Sequence, residues 1–190
     1  MAAGDEPTVL IVDDEKRIVN LYAQQLDGMA RVKKAYGGGD ALEKADESVD
    51  VILLDRRMPD IPGDEVLEVL AERGYDPLVI MVTAVEPDFD IVEMAFDDYL
   101  VKPVTGDELR ETVTRVLERA AFRETARDYF AMASKQAALS GYKHPAQLES
   151  NEEYQRLQRK LDDLRDQADS SIEELGPEAV KELFQDLESD

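Results

Sequence analysis

Residues Val51-Ile52-Leu53-Leu54 form an apolar run that stops abruptly on a carboxylate, Asp55, and Met58-Pro59 closes the stretch shortly after. Proline has no N–H to donate and drives the residue before it out of the helical region, so regular structure cannot continue through it. A run this short and this uniformly apolar reads as a strand buried on both faces. In an open parallel α/β sheet, ligands bind at the carboxyl ends of the strands. Asp55 is expected at that edge, and the rest of the chain is read for what else reaches it.

The same pattern recurs. Thr8–Val12 is a β-branched apolar run ending on Asp13-Asp14, Leu78–Val82 ends on Thr83-Ala84, and Tyr99-Leu100-Val101 ends on Lys102-Pro103. Val32–Tyr36 reads as a further strand. Between the strands lie helical spacings: Ile18, Val19, Tyr22 and Leu26 before Gly28, then Val66, Leu67, Val69 and Leu70 before Gly74. Gly37-Gly38-Gly39 reads as a turn, with Asp40 capping a short helix. A short helical stretch over 91–94 follows Glu86-Pro87-Asp88. Thr105-Gly106-Asp107-Glu108 has capping-box spacing and opens a helix with Leu109, Val113, Val116 and Leu117 inward. Strands alternating with helices give parallel βαβ units in a three-layer α/β domain. Four strand ends then converge with Asp13, Asp14, Asp55, Thr83 and Lys102 on one edge.

Three carboxylates at one edge repel one another unless a cation sits among them. A donor set of oxygens, without His or Cys, suits Mg²⁺ better than zinc. Mg²⁺ takes one or two carboxylates, keeps waters and accepts a phosphate oxygen. A lysine and a threonine hydroxyl beside it complete a phosphoryl-transfer site with a carboxylate nucleophile. The chain has no cysteine, which removes disulfides, thiolate metal sites and cysteine nucleophiles. No apolar run nears the roughly 20 residues of a membrane helix, and the first residues lack the basic start and apolar run of a secretory signal. The expectation is a soluble, cytoplasmic protein with no membrane partner.

In this order and strand-end context, Asp13-Asp14, Asp55 with Met58-Pro59 and Gly63, Thr83-Ala84 and Asp98-Tyr99-Leu100-Val101-Lys102-Pro103 resemble the receiver domain of two-component response regulators over residues 8–120. The resemblance implies a flavodoxin-like, doubly wound five-stranded parallel sheet of order 2-1-3-4-5. It implies Asp55 as phosphoacceptor, and Asp13, Asp14, Asp55 and the main-chain carbonyl of Arg57 around Mg²⁺. Lys102 would pair with the phosphoryl group, Thr83 with Ala84 would bind it, and Tyr99 would follow Thr83 in switching. The Lys102-Pro103 bond would be cis. A sensor histidine kinase is the implied partner, and no enzyme activity is expected beyond self-phosphorylation and autodephosphorylation. An aspartate-nucleophile phosphatase would want a second carboxylate two residues after Asp55, where Arg57 stands. The 15 residues between Thr83 and Tyr99 are fewer than the family pattern has, and Ala95-Phe96 stands where it has Gly-Ala. The fourth helix of the family is therefore expected to be short or distorted, which puts its dimer face in doubt.

A domain boundary is expected near Ala121, giving residues 1–120 and 121–190. The helix from Glu108 should continue through it to about Ser140, Gly141-Tyr142-Lys143-His144-Pro145 should turn, and Ser150-Asn151-Glu152-Glu153 should cap a second helix. Tyr154, Leu157, Leu161, Leu164, Ala168, Ser171 and Leu175 alternate steps of three and four, a coiled-coil seam. It suits a dimer or a hairpin against residues 122–140. Gly176-Pro177 should end that helix before a last amphipathic one with Val180, Leu183, Phe184 and Leu187. Arg127–Lys135 and Glu152–Leu157 resemble the HalX domain found after receivers in halophilic archaea. The acidic excess, 44 acids against 22 bases with only nine Lys, resembles proteins of such organisms. Charge is uneven: 28 acids and 13 bases over 1–120 (net -15), eight of each over 121–167 (net 0), and eight acids with one base over 168–190 (net -7). The middle stretch is the near-neutral contact region. Three outputs compete for it: a protein-interaction or homodimerisation helix pair, a DNA-binding regulator, and, least supported, an enzyme.

Overall fold

The computed structural model describes residues 6–87 and 89–187, with side chains up to Ile172 apart from those of Asp90 and Glu93. It divides into two compact units between Val116 and Leu117.

The first unit alternates β1 (Thr8–Val12), α1 (Lys16–Gln25), β2 (Arg31–Ala35), α2 (Gly38–Lys44), β3 (Val51–Leu54), α3 (Gly63–Glu72), β4 (Leu78–Thr83) and β5 (Asp98–Val101). Then α4 (Gly106–Tyr142) begins. The sheet is parallel throughout, in the order β2-β1-β3-β4-β5, as the resemblance implies. Apolar runs at both faces explain why β1 and β3 are buried at every position. Leu10, Val12, Ile52, Leu54, Val79 and Met81 pack on one face against Ala41 of α2 and Val66, Leu67 and Leu70 of α3. Alternation turns Val9, Ile11, Leu53, Ile80 and Val82 to the other face. This leaves the buried Val19 and Tyr22 of α1 and Leu109, Val113 and Val116 of α4 to cover it.

One connection departs from expectation and another follows it. The glycine run is not a turn before a helix: Gly37 is the N-cap, and Gly38 and Gly39 already lie in α2. Asp40 does not cap; it accepts from the Tyr36 N–H and from Lys44 Nζ. The helix start is held instead by Asp60, whose carboxylate accepts from the N–H groups of Gly38 (3.1 Å) and Gly39 (2.9 Å). A Cβ at residue 38 would lie 2.3 Å from the Ile61 carbonyl oxygen, so glycine is required there. In place of a full helix between β4 and β5 stands a 3-10 helix, Phe89–Glu93, as the short spacing predicts.

In the second unit, α4 passes through Gly141 and Tyr142, which were expected to turn. The true stop is His144: the residue before proline is pushed to extended backbone, and its ψ is 141°. His144 caps an unforeseen short helix, α5 (Pro145–Glu149), in a capping box with Gln147. The cap of α6 (Glu152–Leu187) is Asn151, whose side chain accepts from the Tyr154 N–H at 2.9 Å, while Ser150 bonds back to Gln147. Helix α6 runs through Gly176-Pro177, which were expected to end it. Leu175, Val180, Leu183, Phe184 and Leu187 lie outside the described side chains. Phe122 and Ala126 of α4 pack on Ala168 and Ile172 of α6. Ser140 meets the Tyr154 hydroxyl at 3.2 Å, so the two helices run antiparallel. Tyr154, Leu161 and Leu164 of the seam are buried in this hairpin. Among the described residues no helix is long and apolar enough to cross a membrane.

Candidate functional site

The parallel register sets the site. Val12 stands beside Leu54 and Leu54 beside Met81, so the residues that follow these strands leave the sheet at one level. The Asp55 N–H still bonds the Val12 carbonyl at 2.9 Å, and the Lys102 N–H the Thr83 carbonyl at 2.8 Å. The strand ladder therefore fixes the backbone of both residues.

Asp13, Asp14 and Asp55 each bring a carboxylate oxygen within 4.8 Å of the other two. Asp13 (2 % exposed) and Asp55 (8 %) are buried, while Asp14 faces solvent. Lys102 Nζ bridges the buried pair, 2.5 Å from Asp13 Oδ2 and 2.9 Å from Asp55 Oδ2. Asp13 Oδ1 also accepts from the Glu15 N–H at 2.8 Å, so this side chain does cap-like work as well. Burial pushes the Asp13 carboxyl above its usual range against the opposing pull of its bonds to Lys102 and Glu15. Burial alone would lower Lys102, but its bonds to Asp13 and Asp55 outweigh this and raise it. With all four groups ionised the cluster carries three negative charges and one positive, an excess of two. An all-oxygen donor set with that excess fits one divalent cation such as Mg²⁺.

The other expected residues sit around this cluster. The Arg57 N–H donates to Asp55 Oδ1 at 3.3 Å. Thr83, 1 % exposed at the end of β4, accepts from the Val85 N–H at 3.4 Å, and Ala84 is exposed. Tyr99 is half-buried beside Phe96, with ring centroids 5.6 Å apart, and its hydroxyl donates to the Val85 carbonyl at 2.8 Å. The backbone of the β4 loop thereby links Thr83 and Tyr99, a connection through Val85 that sequence spacing did not show. Lys102-Pro103 is cis, as the resemblance implies. A Cβ on Gly63 would meet the Asp55 carbonyl oxygen at 2.6 Å and Arg56 Cα at 3.0 Å, so the glycine lets α3 begin directly against the Asp55 backbone. His144, the single histidine, is a helix cap and exposed.

Comparison with known proteins agrees with this geometry. Residues 9–114 match the response regulator receiver domain and residues 118–184 the HalX domain. A Haloferax volcanii protein described as a candidate transcriptional regulator is 46% identical over 168 residues, 88% of this chain and 29% of that protein. The transcriptional regulatory protein CpxR of Klebsiella pneumoniae is 37% identical over 120 residues, 61% of this chain and 51% of its own length. The chain thus spans between about a third and half of these relatives. Among solved structures, the BeF3-activated DrrB receiver domain superposes with a TM-score of 0.55 at 31% identity, over 60% of this chain and 99% of that one. The Vibrio cholerae chemotaxis protein CheY4 gives 0.55 at 29% identity, over 59% and 99%. Sheet order, acidic cluster and matched families lead to one assignment: the chain belongs to the response regulators of two-component systems, with a receiver domain followed by a HalX domain.

Proposed function

We propose that Asp55 accepts a phosphoryl group from the phosphohistidine of a sensor histidine kinase, and that the acyl phosphate switches the helical C-terminal unit. The observation that carries this reading is the Lys102 bridge between two buried carboxylates, with a third within 4.8 Å. A carboxylate oxygen of Asp55 attacks phosphorus, the P–N bond breaks, and its electron pair leaves on the imidazole nitrogen. Hydrolysis later returns the carboxylate and inorganic phosphate, so the chain is a phosphoacceptor rather than an enzyme acting on other molecules. Asp13, Asp14, Asp55 and the Arg57 carbonyl would hold Mg²⁺, which when bound neutralises charge between the carboxylate and the incoming phosphoryl oxygens. Lys102 exchanges its bond to Asp55 for one to a phosphoryl oxygen. Thr83 turns its hydroxyl to another, and Ala84 contributes its N–H. Release of the Val85 N–H from Thr83 disturbs the loop whose carbonyl holds Tyr99, and this biases a two-state surface around Tyr99 and α4. Within this proposal the reaction runs in the cytoplasm.

Acetyl phosphate tests the reading in the absence of a kinase. With Mg²⁺ the intact protein gains the mass of one phosphoryl group. Asp55→Asn, or EDTA, abolishes the gain. An adduct formed equally by Asp55→Asn would assign the acceptor elsewhere.

A further inference from the structure

The helical unit carries a surface that phosphoryl chemistry at Asp55 does not use. We propose that the solvent face of α6 around Arg156, Arg159 and Lys160 binds the phosphate backbone of duplex DNA. Spacing comes first. Positions i, i+3 and i+4 share a helix face, and residues 154–161 contain no acid in a chain that has 44. The apolar residues of the same stretch, Tyr154 and Leu161, are buried in the hairpin, which turns the three cations outward.

Pairing is the second observation. In the first unit the lysines are held: Lys33 by Asp46, Lys34 by Asn20, Lys44 by Asp40, Lys102 by Asp13 and Asp55, and Lys16 lies over the Tyr36 ring. Among the described residues, Arg159 and Lys160 have no ion-pair or hydrogen-bond partner. Arg156 meets Glu152 only at 3.4 Å, with the two side chains 68% and 85% exposed, a pair that holds its cation weakly. Acids outnumber bases two to one in the chain, and the acids nearest this cluster, Glu152 and Asp163, leave Arg159 and Lys160 without an ion pair.

Shape is the third. Arg156, Arg159, Lys160 and Gln167 line a groove of about 480 Å³. Arg159 and Arg165 share the next one, about 440 Å³, with Gln155 and Gln158. Asp163 shares the lining of the first groove and Asp162 that of the second. Arginine forks match phosphate oxygens, and glutamine amides supply donors and acceptors for base edges. A protein partner would want a large apolar anchor at the centre of its interface. Among the described residues α6 exposes none, since the exposed large apolar side chains of this unit are Phe130, Leu139 and Tyr142, none on α6. The remaining acids repel DNA over about 10 Å at 0.1 M salt but only about 3 Å at 1 M, while contacts on the face itself are direct.

The proposal rests on the response-regulator reading only in making this surface the output. Its test is anisotropy of a short fluorescent random-sequence duplex with the full chain, across about 0.1 to 2 M KCl, with and without acetyl phosphate, and with helix content followed by circular dichroism. Arg159→Glu/Lys160→Glu should weaken binding by about tenfold or more. The milder Arg159→Gln/Lys160→Gln should flatten the salt dependence by about two units of slope. Arg17→Glu, an exposed cation of the first unit, should bind as the parent does. The proposal is overturned if the duplex fails to bind at every salt concentration that preserves the helices, in both phosphorylation states. It is equally overturned if the Glu variant binds like the parent, or if polyglutamate binds this face in place of the duplex. Neither result bears on whether Asp55 accepts phosphate.

Discussion

Lys102 is the residue on which the receiver site depends, because among the described residues it is the one cation bonded to two buried carboxylates. Removing one partner of a buried ion pair leaves the other charge uncompensated, at a cost of about 3 kcal/mol. Lys102→Met in metal-free protein should therefore lower the urea midpoint by a corresponding amount. Mg²⁺ should restore more stability to this variant than to the parent, since the cation replaces the lost charge. Equal restoration of both would mean that the carboxylates do not share one cation. Gly63 is constrained by backbone rather than charge. Gly63→Ala puts a methyl group 2.6 Å from the Asp55 carbonyl oxygen, and overpacking of this kind costs about 2 kcal/mol. The shift is transmitted to the acceptor itself, so the variant should also take up phosphate from acetyl phosphate more slowly. A variant as stable and as reactive as the parent would remove Gly63 from the account.

At the scale of elements, what sequence reveals depends on how local the cause is. The strands and their polar ends were legible because each signal is contained in a few neighbouring residues: a β-branched or aliphatic run, then Asp13-Asp14, Asp55, Thr83 or Lys102. The start of α2 was not legible, because its cap is Asp60, more than 20 residues away in sequence. The three glycines looked like a turn when read alone. The N–H groups of Gly39, Ile61 and Gly38 hold the Asp60 carboxyl below its ordinary value. A carboxyl lowered on folding stabilises above its unfolded pKa, and the contribution fades as pH falls through the folded value. Asp60→Ala should thus cost about 1 kcal/mol near neutrality, and the gap to the parent should close below pH of about 4. A gap that persists in acid would show that packing, not the charged cap, holds this helix end. The α6 seam was legible up to a choice between a dimer and a hairpin. Its period correctly marked a buried face, but a heptad pattern does not say which helix covers it, and here the chain's own α4 does so. Likewise Ser150 and Asn151 both have capping chemistry, and only the backbone path selects Asn151.

For the whole molecule, the two units differ in the chemistry they carry. The first has a strand-end cluster of three carboxylates and a lysine, and the second an antiparallel hairpin that leaves Arg156, Arg159 and Lys160 exposed. The net charge of -22 describes neither. It sums an acidic stretch over residues 1–120 (net -15), a balanced one over 121–167 (net 0) and an acidic one over 168–190 (net -7). The fold class, and the residues Asp13, Asp14, Asp55 and Lys102 that the fold brings together, could be read in order from the chain because they sit at strand ends. The exposed face of α6 could not be read from the chain, since facing depends on which side of the helix the hairpin buries.

The claim at the centre is that Asp55 takes the phosphoryl group. The direct measurement is peptide mapping after acetyl phosphate treatment and borohydride reduction, which converts a phosphorylated aspartate into homoserine. The account predicts homoserine at position 55 alone, dependent on Mg²⁺. Homoserine at Asp13 or Asp14, or none under conditions that load another receiver, would contradict it.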